Sequence, residues 1–134
     1  MLNDPLTEKV IGLAIAVHSH FGPGLFESTY EQALAIELSC AGLPFQRQVP
    51  IGASYKGHPL GQIFRADIAV ENRLILEIKS IEKILPVHEA QILTYLRLGH
   101  YPVGLLLNFN VLRLKQGIRR YAMTDRMDAL SHAA

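Results

Sequence analysis

The chain has 134 residues, 49% of them hydrophobic and 19% charged, with a formal net charge of +1. That length suits one domain, 1–134, with a hydrophobic core of useful size, and the composition excludes an intrinsically disordered chain. The near-neutral charge neither demands nor excludes nucleic acid, while Cys40, the only cysteine, excludes an intramolecular disulfide and any Cys-rich zinc site.

Apolar runs such as Val10–Val17 and Val103–Leu107 are far too short to span a bilayer. No basic segment leads into an apolar one at the amino terminus, so the expectation is a cytoplasmic protein with no membrane association. A first helix is predicted from Asp4-Pro5, where Asp suits the cap and Pro the first turn. Val10, Ala14, Val17 and Phe21 recur at helical spacing, and Phe21-Gly22-Pro23-Gly24 ends the segment. A second helix runs from about Phe26 to Ala41, with Leu34 and Leu38 on one face and Gly42 as its stop.

Phe45–Tyr55 reads as a strand leading into a turn cluster, Lys56-Gly57-His58-Pro59. Leu60–Val70 and Leu74–Ser80 flank Glu71-Asn72-Arg73 and read as a hairpin. A third helix covers roughly Val87–Leu98, closed by Gly99. Tyr101–Phe109 follows as an apolar strand and Leu112–Tyr121 as a more polar one. The order ααβββαββ predicts an α/β fold, a mixed central sheet flanked by helices. Arg113, Lys115, Arg119 and Arg120 cluster in the last strand, which suits either a charge-protected sheet edge or contact with phosphate.

The hairpin carries the chemistry. With a three-residue loop at Glu71–Arg73, Val70 pairs with Leu74 and Asp67 lies opposite Glu77. Alternation then puts Ala66, Ile68, Val70, Leu74, Leu76 and Ile78 on a core face and Arg65, Asp67, Ala69, Ile75, Glu77 and Lys79 on the other. Two opposed carboxylates about 5 Å apart at Cβ repel. A shared proton, a bridging Lys or Arg, or a divalent metal would each relieve them, and carboxylates are ligands that Mg2+ and Mn2+ prefer. Lys79 is placed to neutralise the pair or to stabilise a developing anion. The plain alternative is an exposed face of ion pairs among Asp67, Glu77, Arg65 and Lys79. A two-residue loop would put Asp67 and Glu77 on opposite faces and dissolve the site.

On the third helix Gln91 and Tyr95 are spaced i, i+4, and His88 lies three residues before Gln91 on the same face. His18 reads as structural, and no pair of histidines has metal-ligand spacing. No phosphate-binding loop, nucleophile elbow or dinucleotide fingerprint is present.

Asp67…Glu77-Ile78-Lys79 resembles the core motif of the PD-(D/E)xK nuclease superfamily. Gly24-Leu25-Phe26-Glu27-Ser28-Thr29-Tyr30 resembles the signature of the GxxExxY proteins, a compact branch of it. The resemblance extends through the FGPG turn, YKG at 55–57, RADIAVE at 65–71, LEIKS at 76–80, HEAQILTYLRL at 88–98 and GLLLNF at 104–109. Phe21 departs from the Leu usual before Gly-Pro-Gly, and EIKS from the commoner Glu-Leu-Lys-Ala. Neither departure touches a candidate catalytic side chain.

The resemblance implies a restriction-endonuclease-like core and Mg2+- or Mn2+-dependent hydrolysis of nucleic-acid phosphodiester bonds, with DNA expected before RNA. Asp67 and Glu77 would be metal ligands, and Lys79 would activate the attacking water or stabilise the transition state. Glu27 would serve as a further metal ligand or as a base, although a carboxylate in a helix's first turn is also favoured by the dipole. Gln91 and Tyr95 resemble the Gln-x-x-x-Tyr element of RecB-like exonucleases, which supports the site or touches the nucleic-acid backbone. Tyr30 is expected as a packing or hydrogen-bonding support. His88 would contact phosphate or the leaving group, or simply cap its helix. The rival reading is a non-catalytic module that keeps the fold and binds nucleic acid or a protein. Exposed sheet edges in so short a chain also make a homodimer an expectation.

Overall fold

Residues 4–123 are described in the computed structural model. Helix α1 (Pro5–Phe21) starts where Asp4 caps it: Oδ1 accepts from Leu6 N and Oδ2 from Thr7 Oγ1, both at 3.1 Å. Pro5 occupies a first-turn position whose amide would have no helical partner. Arg73 also donates to Asp4 Oδ2 at 2.9 Å, tying the helix start to the hairpin far along the chain. The helix stops at Gly22, whose φ of +69° is in the left-handed region, and Gly24 follows at +99°. A side chain at either position would be strained. This turn delivers α2 (Glu27–Cys40).

Strands β1 (Phe45–Tyr55), β2 (His58–Val70) and β3 (Leu74–Lys79) precede α3 (Pro86–Gly99), and β4 (Val103–Asn108) and β5 (Ile118–Ala122) follow it. They form one five-stranded sheet in chain order, antiparallel throughout except between β3 and β4, which α3 joins as a crossover. The architecture is the predicted mixed sheet flanked by helices.

Helices α1 and α2 pack on one face through Val10, Ala14, Val17, Leu34 and Leu38, against Ile68, Val70, Leu76, Ile78, Leu105 and Leu107. Helix α3 packs on the other through Ile92, Tyr95 and Leu96, against Val49, Ile51, Ala69, Ile75 and Leu106. Full burial of each such side chain contributes roughly 1.5–3 kcal/mol. Strand β3 is therefore covered on both sides, as strands paired in parallel usually are. The open, ion-paired face that alternation allowed does not exist.

Three local expectations change. The turn after β1 needs only Lys56 and Gly57, at φ +49° and +78°, because Tyr55 pairs with His58. Two left-handed residues match the twist of the flanking strands, so His58 and Pro59 belong to β2. The expected strand Leu112–Tyr121 is shortened by a 3-10 turn at Leu114–Gly117. Ala66 was expected on the face of Ile68 but packs with the α3 cluster. Its reversal coincides with Gln48, which takes φ +52° between the pairs Arg47↔Ile68 and Val49↔Ala66. That left-handed residue lets the outer hairpin roll over relative to its base.

The 3-10 turn presses against the end of β4: a Cβ on Gly117 would lie 2.1 Å from the Asn108 carbonyl oxygen. Backbone cannot yield there as a flexible side chain could. Gly117→Ala is expected to destabilise the protein by about 1–3 kcal/mol, measured as a lower urea midpoint at unchanged slope. A midpoint equal to wild type would mean that the turn is free to move away from β4.

Candidate active site

The pairing of β2 with β3 runs from Val70↔Leu74 to Ile68↔Leu76 and then stops, so the three-residue loop and the expected register hold. One step further the strands separate, and the side chains take over from the backbone. Asp67 Oδ2 accepts from Ile78 N at 2.8 Å, while Glu77 Oε1 accepts from Asp67 N at 3.3 Å. Each carboxylate thus reaches across to an amide of the opposite strand. Buried amides need partners, and here two acids provide them.

Glu77 is held out of water and Asp67 partly so. Glu77 is 4% exposed, and its carboxyl is pushed up from an ordinary 4.5 to about 8, first by burial and then by Asp67, with Lys79 opposing. Burial also raises Asp67, against the Ile78 amide and Lys79, and the charges of Glu31 and Glu27 raise it further. Lys79 Nζ stands 3.6 Å from Glu77 Oε2 and makes a long 3.4 Å contact to Gln91 Oε1 on α3. Tyr95 lies buried on the same helix with its ring tilted against Phe64. Burial and then the nearby acids push its phenol up to about 12, so it stays a proton donor.

Glu27 arrives from the other face. Its Oε2 accepts from Ser80 N at 3.1 Å, and Ser80 Oγ donates to Leu25 O at 2.6 Å, stapling the start of α2 to the end of β3. Tyr30 is fully buried, donates to Gly22 O at 2.6 Å, accepts from Leu25 N at 3.2 Å and stacks on Phe109 with ring centres 4.4 Å apart. It therefore fixes the turn that carries Glu27 and lies outside the acid cluster itself. His88 accepts from Leu85 N through Nδ1 at 2.9 Å, closing the start of α3. His18 donates from Nε2 to Val111 O at 2.8 Å. A cavity of about 450 Å³ opens beside Lys79, lined by His88, Gln91, Thr94, Phe64 and Val87.

Three supports escaped the sequence reading. Glu31 is buried, accepts from Arg47 Nε and Gln48 Nε2 at 2.9 Å each, and so holds the left-handed Gln48. Its spacing of four from Glu27 was the available signal. Ser80 closes the LEIKS run, and its link to the start of α2 carries no signal in the sequence. Asn108 binds both backbone groups of Ile81 at 3.1 and 3.0 Å and fixes the loop that leaves Lys79. A polar residue closing the apolar run GLLLN marked it.

Among the described residues no three His, Cys, Asp or Glu side chains converge into a ready-made metal cage. The donor chemistry nevertheless fits a hard divalent cation. Mg2+ commonly takes one or two carboxylates and leaves its other positions to water and substrate phosphate. Asp67 and Glu77 offer such oxygens, and their crowding as anions is what a cation would relieve.

The sequence matches the family model described as the PD-(D/E)XK nuclease superfamily over residues 4–121. That span takes in α1, α2, α3 and the sheet through Tyr121, and so every residue of the acid cluster. No curated protein and no solved structure matches the chain.

The elevated Glu77 has a pH signature. Between about 4.5 and about 8 the folded protein keeps a proton that the unfolded chain has lost. Without divalent ions, stability should therefore fall as pH rises through that window, and Glu77→Gln should flatten the profile. The difference in urea unfolding free energy between wild type and variant, followed from pH 4 to 9, measures this. A difference independent of pH would mean that Glu77 is ionised in the fold.

Proposed function

Because the chain belongs to the PD-(D/E)XK nuclease superfamily, we propose that it is a metal-dependent nuclease of the compact GxxExxY branch, hydrolysing phosphodiester bonds of nucleic acid, DNA before RNA. The observation that carries this reading is the opened β2–β3 ladder, where Asp67 and Glu77 exchange strand amides with Lys79 at 3.6 Å from Glu77. A structural ion pair has no need of a second, half-buried acid beside the buried Glu77, since mutual repulsion and desolvation both act against the two.

Asp67 and Glu77 are the proposed metal ligands, and Glu27 is a further carboxylate at the end of β3 for metal or water. Bound there, Mg2+ or Mn2+ would polarise the phosphoryl oxygens and lower the pKa of a water to within reach of neutral pH. Lys79 holds a positive charge beside Glu77 and the cavity, where charge develops on a phosphoryl group under attack. Gln91 restrains the lysine head from α3. Tyr95 supports that wall as a neutral donor. With Nδ1 engaged by Leu85 N, a neutral His88 carries its proton on Nε2, free to meet a phosphate oxygen in the groove.

The test is cleavage of single- and double-stranded DNA and RNA by purified protein with Mg2+ or Mn2+. Asp67→Ala and Glu77→Ala should abolish metal-dependent cleavage, and Lys79→Ala should lower kcat by about 10²–10³. Cleavage that survives Glu77→Ala and Lys79→Ala together would remove the assignment. Nucleic-acid binding without cleavage under any of these conditions would make the chain a binding module instead.

A further inference from the structure

Phe26 is 83% exposed, at a point in the fold where the backbone is fixed on both sides. It is the N-cap of α2 at φ −71° and ψ 151°, with no side-chain cap bond of its own. Before it, Leu25 O accepts from Ser80 Oγ at 2.6 Å and Leu25 N donates to Tyr30 OH at 3.2 Å. After it, Glu27 accepts from Ser80 N at 3.1 Å. Tyr30 anchors this arrangement from inside the core, through Gly22 O and its stacking on Phe109.

A lone exposed apolar side chain is ordinary on a protein surface and needs no account. Phe26 differs because its backbone cannot swing to bury the ring, and because the residues that pin it adjoin Lys79. Ser80 touches the start of α2 on one side, while Lys79 touches Gln91 on α3 on the other. Ser80 thus joins the start of α2, which carries Phe26, to a strand end whose Lys79 borders the cavity lined by Val87, His88 and Gln91. Val87, 65% exposed, also presents apolar surface there.

We propose that Phe26 stacks on an unpaired base next to the phosphate at the acid cluster, so that this nuclease prefers nucleic acid with unpaired bases to uninterrupted duplex. The inference rests on the nuclease reading above and names the substrate form for the same site. An aromatic face accepts any base, but only one that is not already stacked within a helix. Phe26 is thus a binding and specificity residue, with no part in proton transfer.

The chain has no tryptophan, so Phe26→Trp introduces a single reporter at the start of α2. Titrated with a single-stranded oligonucleotide in Mg2+, its fluorescence should be quenched in a saturable way, and far less by a blunt duplex of the same sequence. Phe26→Ala should raise KM for single strand about tenfold or more, with kcat little changed, and so narrow the gap between single strand and duplex. Phe26→Leu should resemble Phe26→Ala, since it keeps apolar bulk and loses the aromatic face. Absence of quenching, or a Leu variant equal to wild type, would overturn the inference. Cleavage with neither quenching nor strand preference would remove Phe26 and leave the nuclease assignment standing. Quenching without cleavage of any substrate would do the reverse, leaving a base-stacking module that does not cut.

Discussion

Two backbone amides, at Asp67 and Ile78, lie where β2 and β3 part company, and the rest of the site follows from how they are satisfied. In an unbroken ladder each would bond to a carbonyl of the neighbouring strand. Here a carboxylate oxygen replaces each carbonyl, and the two acids cross to do it. The exchange keeps the amides paired while opening the sheet by one step. It also fixes both acids without help from any loop. Side chains held by strand backbone are placed far more tightly than surface carboxylates, which is what chemistry at a defined point requires.

The surroundings act to keep that opening in being. On the β1 side, Gln48 adopts a left-handed conformation opposite Asp67, and the buried Glu31 holds it together with Arg47. On the β4 side, Asn108 grips Ile81, and Phe109 N donates to Lys79 O at 2.9 Å. The helix-borne residues Glu27 and Gln91 come from opposite faces and touch Ser80 and Lys79, consecutive residues of one strand end. Placing the motif at the end of the doubly covered β3 thus gives both helical layers access to it. A strand with one open face would meet only one of them.

Much of this was legible in the residues. The polar triplet Glu71-Asn72-Arg73 between two apolar runs set the loop length, and the loop length set Asp67 against Glu77. The capped start at Asp4-Pro5 and the glycines after Phe21 placed α1 and the entry of α2, because each rests on a local backbone demand. Other features depend on contacts distant in sequence. Ala66 changes face because Gln48 is left-handed, and glutamine carries no signal for that conformation. The strand around Leu112 gives way to a turn because Gly117 meets Asn108. The burial of both faces of β3 had a signal that strict alternation obscured: LILEIK is nearly continuous in apolar residues, as strands between two layers tend to be.

Three unfavourable features share the neighbourhood of the acid cluster. Glu77 is buried beside a half-buried Asp67, a non-glycine residue is left-handed opposite that aspartate, and a phenylalanine is held in water on a pinned turn. Elsewhere left-handed residues such as Lys56 and Asn72 sit in tight turns, and among the described residues no buried side-chain nitrogen or oxygen lacks a partner. A sequence selected for stability alone has no reason to concentrate its unfavourable features, since each raises the cost of the next through shared desolvation and like charge. Concentration is expected instead where a fold gives up stability to keep charged groups poised. The physical pattern thus singles out residues that lie within the span matched by the family model. It also brings in Glu31, Gln48 and Phe26, which the Asp…Glu-x-Lys motif alone does not name.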